Sequence, residues 1–396
     1  MTGISSALSQ LKSHRQQFPA LANKAYFNYG GQGPMPQAAL DAIYRSYEYV
    51  QRAGPFSTEV NAWVEQEALQ TREALASLLS VPSQTITLTE NVTTGCNIAL
   101  WGIDWKAGDR VLLSDCEHPG IVATVQEIQR RFNIEVSTCP LMATLNQGDP
   151  VAAVTEHLQP NTRLVVLSDI LWNTGQVLPL AQITNAVHSY SGAAQPVKIL
   201  VDAAQSVGVL PLNLTDLGVD FYAFTGHKWL CGPEGVGGLY VQSSAQTSLN
   251  PTFIGWRGLE YTKSGPSWQP DGRRFEVATS AYPLYAGLRA AIALHDRWGS
   301  QQERYQRIRH LSEYLWQRLT KLTDVTCLRA SPPEAGLVSF QLDNKRPHRE
   351  LVQFLEKQGE LVRIIQEPDC VRASLHYLTL EEEIDRLVEA IQKFCN

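Results

Sequence analysis

Six short apolar runs separated by stretches of helical periodicity limit what this chain can fold into. Thr85–Thr89, Arg110–Ser114, Arg163–Ser168, Val197–Val201, Phe221–Phe224 and Gly237–Val241 each end in a polar or turn-forming stretch. Runs that are apolar almost throughout, rather than at every second residue, belong to strands covered on both faces. Alternating with helices, they predict an α/β fold on a mostly parallel sheet. Gly237–Val241 follows its predecessor through a glycine-rich turn and is expected to run antiparallel. After residue 280 the pattern changes to helices (Leu284–Trp298, Ser300–Leu322) and shorter strands near Ala335–Leu342 and Val371–Leu375. Thr379-Leu-Glu-Glu382 reads as a capping box that opens a last amphipathic helix to Phe394. We expect a large α/β domain over residues 26–280, a small α+β domain over 281–396, and an N-terminal segment, 1–25, packed with the small domain.

Composition excludes several functions. Of 396 residues, 44% are hydrophobic and 18% charged, which supports a packed core rather than a disordered chain. The net charge is −6, and the largest basic clusters are the pairs Arg130-Arg131 and Arg273-Arg274, so nucleic acid is not an expected partner. No uncharged apolar run approaches the ~18 residues of a membrane span. The N-terminus, MTGISSALSQLKSHRQQ, lacks the apolar centre of a signal peptide. Seven cysteines without a CxxC argue against a disulfide framework and a structural zinc site. No metal is expected, and a cytoplasmic setting is.

Ligands of open α/β sheets collect beyond the carboxyl ends of the strands. Thr93, Thr94, His118, Asn173, Asp202, Gln205, His227 and Lys228 all fall there. In Thr225-Gly-His-Lys228 a lysine follows an apolar strand. Desolvation at such a place lowers its pKa and suits it to a Schiff base with an aldehyde cofactor. A lone lysine in a turn is more often simply a surface residue. Asp202, at the end of the preceding strand, is placed either to cap a helix or to hold a pyridinium nitrogen protonated. Thr93 and Thr94 open a helix, where free N–H groups and hydroxyls serve capping or phosphate binding.

Taken together, Asn91-Val-Thr-Thr-Gly-Cys-Asn97, Cys116-Glu-His-Pro-Gly120, Asn173-Thr-Gly175, Val201-Asp-Ala-Ala-Gln205, Thr225-Gly-His-Lys228, Arg274-Phe-Glu-Val-Ala-Thr279 and Val371-Arg-Ala-Ser374 resemble the class V aminotransferase group of fold-type I pyridoxal phosphate (PLP) enzymes. Within it the chain is most similar to cystine and cysteine C–S lyases and, more distantly, to cysteine desulfurases. The resemblance runs from Tyr26 to the C-terminal helix and implies a seven-stranded, mostly parallel sheet. It implies that Lys228 carries the cofactor, that Asp202 binds the ring nitrogen, and that Gln205 and Asn173 bind the ring oxygen. His118 would stack on the ring and shuttle protons. Thr93, Thr94, Thr225 and His227 would hold the phosphate. Thr279 would reach the phosphate of a partner subunit, making a homodimer with shared active sites. Arg372 would clamp the α-carboxylate of an amino-acid substrate.

The chain departs from the desulfurase pattern at one place. In similar desulfurases a mobile cysteine lies five residues after the arginine matching Arg363. Here Arg363-Ile-Ile-Gln-Glu-Pro-Asp-Cys-Val-Arg372 has proline at that position and only eight residues between the arginines. Cys370 is expected to be packed. Without the nucleophile, the Cα proton can pass to Lys228 and the sulfur group can leave from Cβ by elimination. A persulfide anion leaves more readily than hydrosulfide, so L-cystine is the expected substrate, ahead of L-cysteine. Pyruvate, ammonia and cysteine persulfide would result, with the sulfur available to an iron–sulfur scaffold or acceptor protein. Arg363 would bind the distal carboxylate of cystine, and Trp256 would shape the same channel. The rivals are a desulfurase using Cys370, a class V epimerase or aminotransferase, and a PLP-binding scaffold without turnover.

Overall fold

The structure, a computed structural model, describes residues 2–343 and 346–396, with side chains described from residue 9 onward. A two-residue strand, β1 (Ala25–Tyr26), precedes the strands of the central sheet: β2 (Ile86–Thr89), β3 (Arg110–Ser114), β4 (Glu135–Cys139), β5 (Thr162–Ser168), β6 (Lys198–Asp202), β7 (Phe221–Thr225) and β8 (Gly237–Val241). Their order is β2-β8-β7-β6-β5-β3-β4. The pairings among β3, β4, β5, β6 and β7 are parallel, and β8 is antiparallel to both of its neighbours.

Alternate residues of one strand feed two different cores, which explains the continuous apolar runs. In β5, Val165 and Leu167 pack with the helices Thr58–Leu79 and Leu180–His188, while Leu164 and Val166 pack with Val92–Gly102 and Pro119–Phe132. Burying each such side chain contributes about 1.5–3 kcal/mol. Gly95 lets its helix lie directly on the sheet, since a Cβ there would come within 2.9 Å of the Ala223 Cβ. Strand β4 was not among the expected runs. It lies at the sheet edge, and of Glu135-Val-Ser-Thr-Cys139 only Cys139 is buried.

A hairpin of β9 (Leu259–Thr262) and β10 (Gly265–Trp268) stands largely exposed. A second sheet follows, of β11 (Val325–Cys327), β12 (Leu337–Leu342), β14 (Arg363–Gln366) and β15 (Asp369–Ser374), in the antiparallel order β11-β12-β15-β14. The short β13 (Glu360–Leu361) pairs with β1. Helices Gln301–Leu319, His348–Lys357 and Glu381–Cys395 cover this sheet. The last helix does not begin as the sequence suggested. Thr379 Oγ1 accepts from the His376 N–H at 3.2 Å, and Glu383, not Glu382, reaches back to the Leu380 N–H at 2.8 Å. Leucine offers no acceptor, so only half a capping box forms.

The N-terminal helix Thr2–Arg15 is tied to the last helix by a buried ion pair, Arg15–Glu383, at 2.6 Å. Removing one partner of such a pair costs about 3–5 kcal/mol. Among the described residues, no helix is long and apolar enough to cross a membrane.

Candidate active site

A cavity of about 430 Å³ lies where the carboxyl ends of β5 and β6 and the turn after β7 meet the arginines of β14 and β15. Lys228 and Asp202 both line it. Burial draws the Lys228 amine down to about 8, against the pull of Asp202, which favours its charged form. Asp202 is 5% exposed, and burial raises its pKa while Lys228 opposes the rise. One carboxylate oxygen accepts from the Ala204 N–H at 3.0 Å. Asp202 does not cap a helix, which leaves its charge available to the cavity.

At one end of the cavity stands the N-terminus of helix Val92–Gly102, with Asn91, Thr93 and Thr94 on the wall. Asn91 Oδ1 accepts from the Thr94 N–H at 3.0 Å and so caps the helix. Amide groups and hydroxyls at this N-terminus favour an anion. His227 joins the wall, and its Nδ1 lies 2.6 Å from Thr225 Oγ1. Thr225 therefore stands behind His227 rather than on the cavity surface.

His118 combines two roles that the sequence left open. Its Nδ1 accepts from the Gly120 N–H at 3.2 Å, capping helix Pro119–Phe132, while the ring also lines the cavity. With Nδ1 as acceptor, the neutral ring carries its proton on Nε2. Burial lowers its pKa. Trp172 packs edge-on to it with ring centres 5.9 Å apart.

The roof is a tight hairpin. Gln366 pairs with Asp369, so only Glu367 and Pro368 form the turn, and Arg363 faces Arg372 directly across the strands. Like charges in such a pair repel unless an anion lies between them. Arg372 is 1% exposed, its Nε has no partner among the described residues, and its Nη1 donates to the Trp172 carbonyl at 2.5 Å. Burial, with Arg363 beside it, lowers its pKa to about 9. Gly30 makes room for it, since a Cβ there would come within 2.9 Å of Arg372 Nη2. Cys370 is wholly buried on β15, and burial pushes its thiol up to about 12.

Of the residues singled out in the sequence, Thr93, Thr94, His118, Asp202, Gln205, His227, Lys228, Arg363 and Arg372 line the one cavity. Gln205 is largely committed elsewhere. Its Nε2 donates to the Gly30 carbonyl at 3.0 Å, and its Oε1 accepts from Trp229 Nε1 at 2.9 Å. One N–H remains for the cavity. Asn173 lies behind the wall. Its Nδ2 donates to the Glu367 carbonyl at 3.1 Å, which anchors the hairpin turn, and its buried Oδ1 has no partner among the described residues.

Trp256 does not reach the cavity. It is 52% exposed, in a separate hollow with Glu65, Tyr261 and Arg273. Its neighbour Arg257 meets Glu276 of the same chain at 3.3 Å. Thr279 also lies outside, in a hollow it shares with Glu90 and Thr94.

Sequence reasoning missed Gly30, Asn91, Ser168, Ile170 and Trp172 as wall residues. Trp172 stood one position before the Asn173-Thr-Gly175 motif. Asn91 opened a motif whose threonines alone were singled out.

The arrangement fits PLP on the structure's own terms. It joins an anion site at a helix N-terminus, a buried carboxylate with a free face, and a lysine of lowered pKa in one cavity. The orphaned Arg372 Nε adds a place for a substrate carboxylate.

Residues 25–387 match the family model described as aminotransferase class V. The chain is 28% identical to a cysteine desulfurase of Haloferax volcanii over 90% of its own length and 86% of that protein's. It is equally similar, at 28%, to isopenicillin N epimerase of Streptomyces clavuligerus over 92% and 93% of the two chains. Among solved structures it is 54% identical to the cystine C–S lyase C-DES, in complex with its reaction product cysteine persulfide. That match covers 95% of this chain and 99% of the other with a TM-score of 0.93. The fold, the cavity and these similarities lead to one assignment: the chain belongs to the class V aminotransferase family.

Proposed function

We propose that this protein is a PLP-dependent carbon–sulfur lyase that cleaves L-cystine by β-elimination to pyruvate, ammonia and cysteine persulfide. L-Cysteine is a second substrate and yields sulfide. The carrying observation is the β14–β15 hairpin. Where a mobile cysteine would be needed for a persulfide-forming attack, the chain has a two-residue turn, and its nearby thiol, Cys370, is buried on a strand. The 54% identity to a cystine C–S lyase over nearly the whole chain supports the same reading. The desulfurase relatives favour the alternative through Cys370, but a thiol held near 12 is a poor nucleophile at neutral pH.

Bound PLP supplies an electron sink for the pair left at Cα when its proton is removed. The chain's own residues do the rest. Lys228 would hold the cofactor aldehyde, and its amine of lowered pKa is suited to take the Cα proton of the substrate. Asp202 keeps a proton on the ring nitrogen. Thr93, Thr94 and His227, with Thr225 orienting His227, hold the phosphate. His118 would offer its Nε2–H to the bound group, while Asn173 and Gln205 steady the surrounding loops. Arg372 clamps the α-carboxylate. Arg363, exposed at the cavity mouth, takes the distal carboxylate of cystine. The sulfur group leaves from Cβ with the C–S electron pair, and water releases pyruvate and ammonia.

The proposal extends to a homodimer in which Thr279 serves the partner's phosphate site. Phe253 and Val277, which share a hollow with Thr279, and Tyr261, which shares one with Trp256, are exposed apolar side chains that such a dimer could bury. A cytoplasmic location accords with seven free cysteines, and an iron–sulfur acceptor is a suitable destination for the persulfide sulfur. The three-part division at residues 25 and 280 belongs to the same proposal. Borohydride treatment tests its foundation. The purified protein should carry a yellow chromophore that reduction fixes onto Lys228, and a colourless protein or a label elsewhere would remove the lyase reading.

A further inference from the structure

Below the turn that carries Lys228, three buried side chains from distant stretches converge. Cys231, His295 and His376 each bring one ligand-type atom within 4.8 Å of the other two. Positions 231, 295 and 376 share no local motif and meet only in the fold.

The hydrogen bonds around the two imidazoles assign their tautomers. His376 Nε2 faces the Trp229 carbonyl at 3.1 Å. A carbonyl only accepts, so Nε2 carries the proton and Nδ1 holds a lone pair. That Nδ1 is buried without a partner among the described residues, an unfavourable state for a polar atom. His295 repeats the pattern, with Nε2 donating to the Leu230 carbonyl at 2.9 Å and Nδ1 lying 2.6 Å from the Tyr377 hydroxyl. Anchoring the far ring nitrogen on a main-chain carbonyl is how metal-ligating histidines are held.

Cys231 adopts φ of 51°, a left-handed conformation that side chains other than glycine seldom take. Its N–H donates to the Lys228 carbonyl at 3.0 Å. Among the described residues the Sγ makes one long hydrogen-bond contact, 4.0 Å to the Trp229 carbonyl.

We propose that Cys231, His295 and His376 form a binding site for Zn²⁺. One thiolate and two imidazoles are a donor set that zinc favours in tetrahedral sites. On binding, Cys231 loses its thiol proton to solvent and an S–Zn bond forms, with no change in oxidation state. Tyr377 keeps its proton by donating it to His14 Nε2, 3.0 Å away, which frees His295 Nδ1 for the metal. The ion ties the turn from Lys228 to Cys231 to helix Tyr282–Trp298 and to the segment after β15. It would therefore brace the lysine from beneath without touching the reacting atoms. Because its ligands meet only in the folded chain, loading accompanies folding.

The test is zinc content. Untagged holoenzyme from zinc-supplemented cultures, dialysed against metal-free buffer, should hold about one zinc per chain, and Cys231→Ala less than about a tenth of that. X-ray absorption at the zinc edge of the unaltered protein guards against a variant that fails to fold. It should show one sulfur at about 2.3 Å with nitrogen at about 2.0–2.1 Å. Trace zinc in the unaltered protein, equal zinc in a folded Cys231→Ala, or a shell without sulfur would each overturn the site.

Discussion

At the floor of the cavity Lys228 and Asp202 stand at the ends of parallel strands, among atoms that fix their charge. At the roof Arg363 and Arg372 face one another across a two-residue turn. The floor contains what any PLP enzyme of this family needs, an amine of lowered pKa, a buried carboxylate and a helix N-terminus. On the proposed function, the roof decides what is done with the substrate. A roof with a long loop can deliver a thiol to the substrate sulfur, whereas this one presents two guanidiniums and a buried cysteine. Floor substitutions should abolish reaction on every substrate, and roof substitutions should discriminate among substrates.

The largest effect is expected at the floor. Lys228→Ala should lower pyruvate release from cystine by about 10³-fold or more, the scale of a lost acid–base group. Retained turnover in a folded variant would remove Lys228 from the chemistry. At the inner roof, Arg372→Lys exchanges a planar fork for a point charge. Its kcat/KM should fall about 10–100-fold, equally for cystine and cysteine, as expected for losing a charged hydrogen bond of about 1.5–3 kcal/mol. At the outer roof, Arg363→Ala should raise KM for cystine about tenfold and change KM for cysteine less than about twofold. Equal losses would mean that it does not read the distal carboxylate.

A buried carboxylate beside the floor gives a pH test. Glu117 accepts from the Ser168 N–H at 3.0 Å and from its hydroxyl at 3.1 Å, and burial pushes its pKa up to about 8. A folded-state pKa above the unfolded one contributes stability that is full below the unfolded value, 4.5, and is lost as pH rises through the folded value. Glu117→Gln should therefore flatten the decline in melting temperature between about pH 5 and about pH 9. Parallel curves for the two proteins would show that Glu117 does not titrate there. The smallest effect is expected from Cys370→Ala, which should leave pyruvate release within about twofold, because that thiol lies packed on β15.

The same comparison explains what could be read from sequence. The floor was legible because strand ends are marked by apolar runs that stop at polar residues, as Val197–Val201 stops at Asp202. The antiparallel β8 was legible from its short glycine-rich connection. The edge strand β4 was not, since a strand covered on one side needs no continuous apolar run. The roof was only half legible. The spacing between Arg363 and Arg372 announced a short loop, but their facing register follows from β14–β15 pairing, which depends on the turn. The burial of Cys370 was expected and is found. The engagement of Gln205 with Gly30 and Trp229, and of Asn173 with Glu367, depends on contacts between residues up to 194 positions apart. Thr379 offered a capping motif that the chain passes over, because its hydroxyl is used by the His376 N–H instead. Trp256 lay beside an attractive arginine, yet the packing of Arg257 on Glu276 turns that segment away from the cavity.

On the proposed function, an intact floor under a roof without a mobile thiol makes an eliminating enzyme. Incubating the holoenzyme with L-cystine and quantifying pyruvate and alanine together tests it directly. Pyruvate matched by ammonia and cysteine persulfide, with alanine at background, is the predicted result. Alanine as the main product, lost in Cys370→Ala, would contradict it.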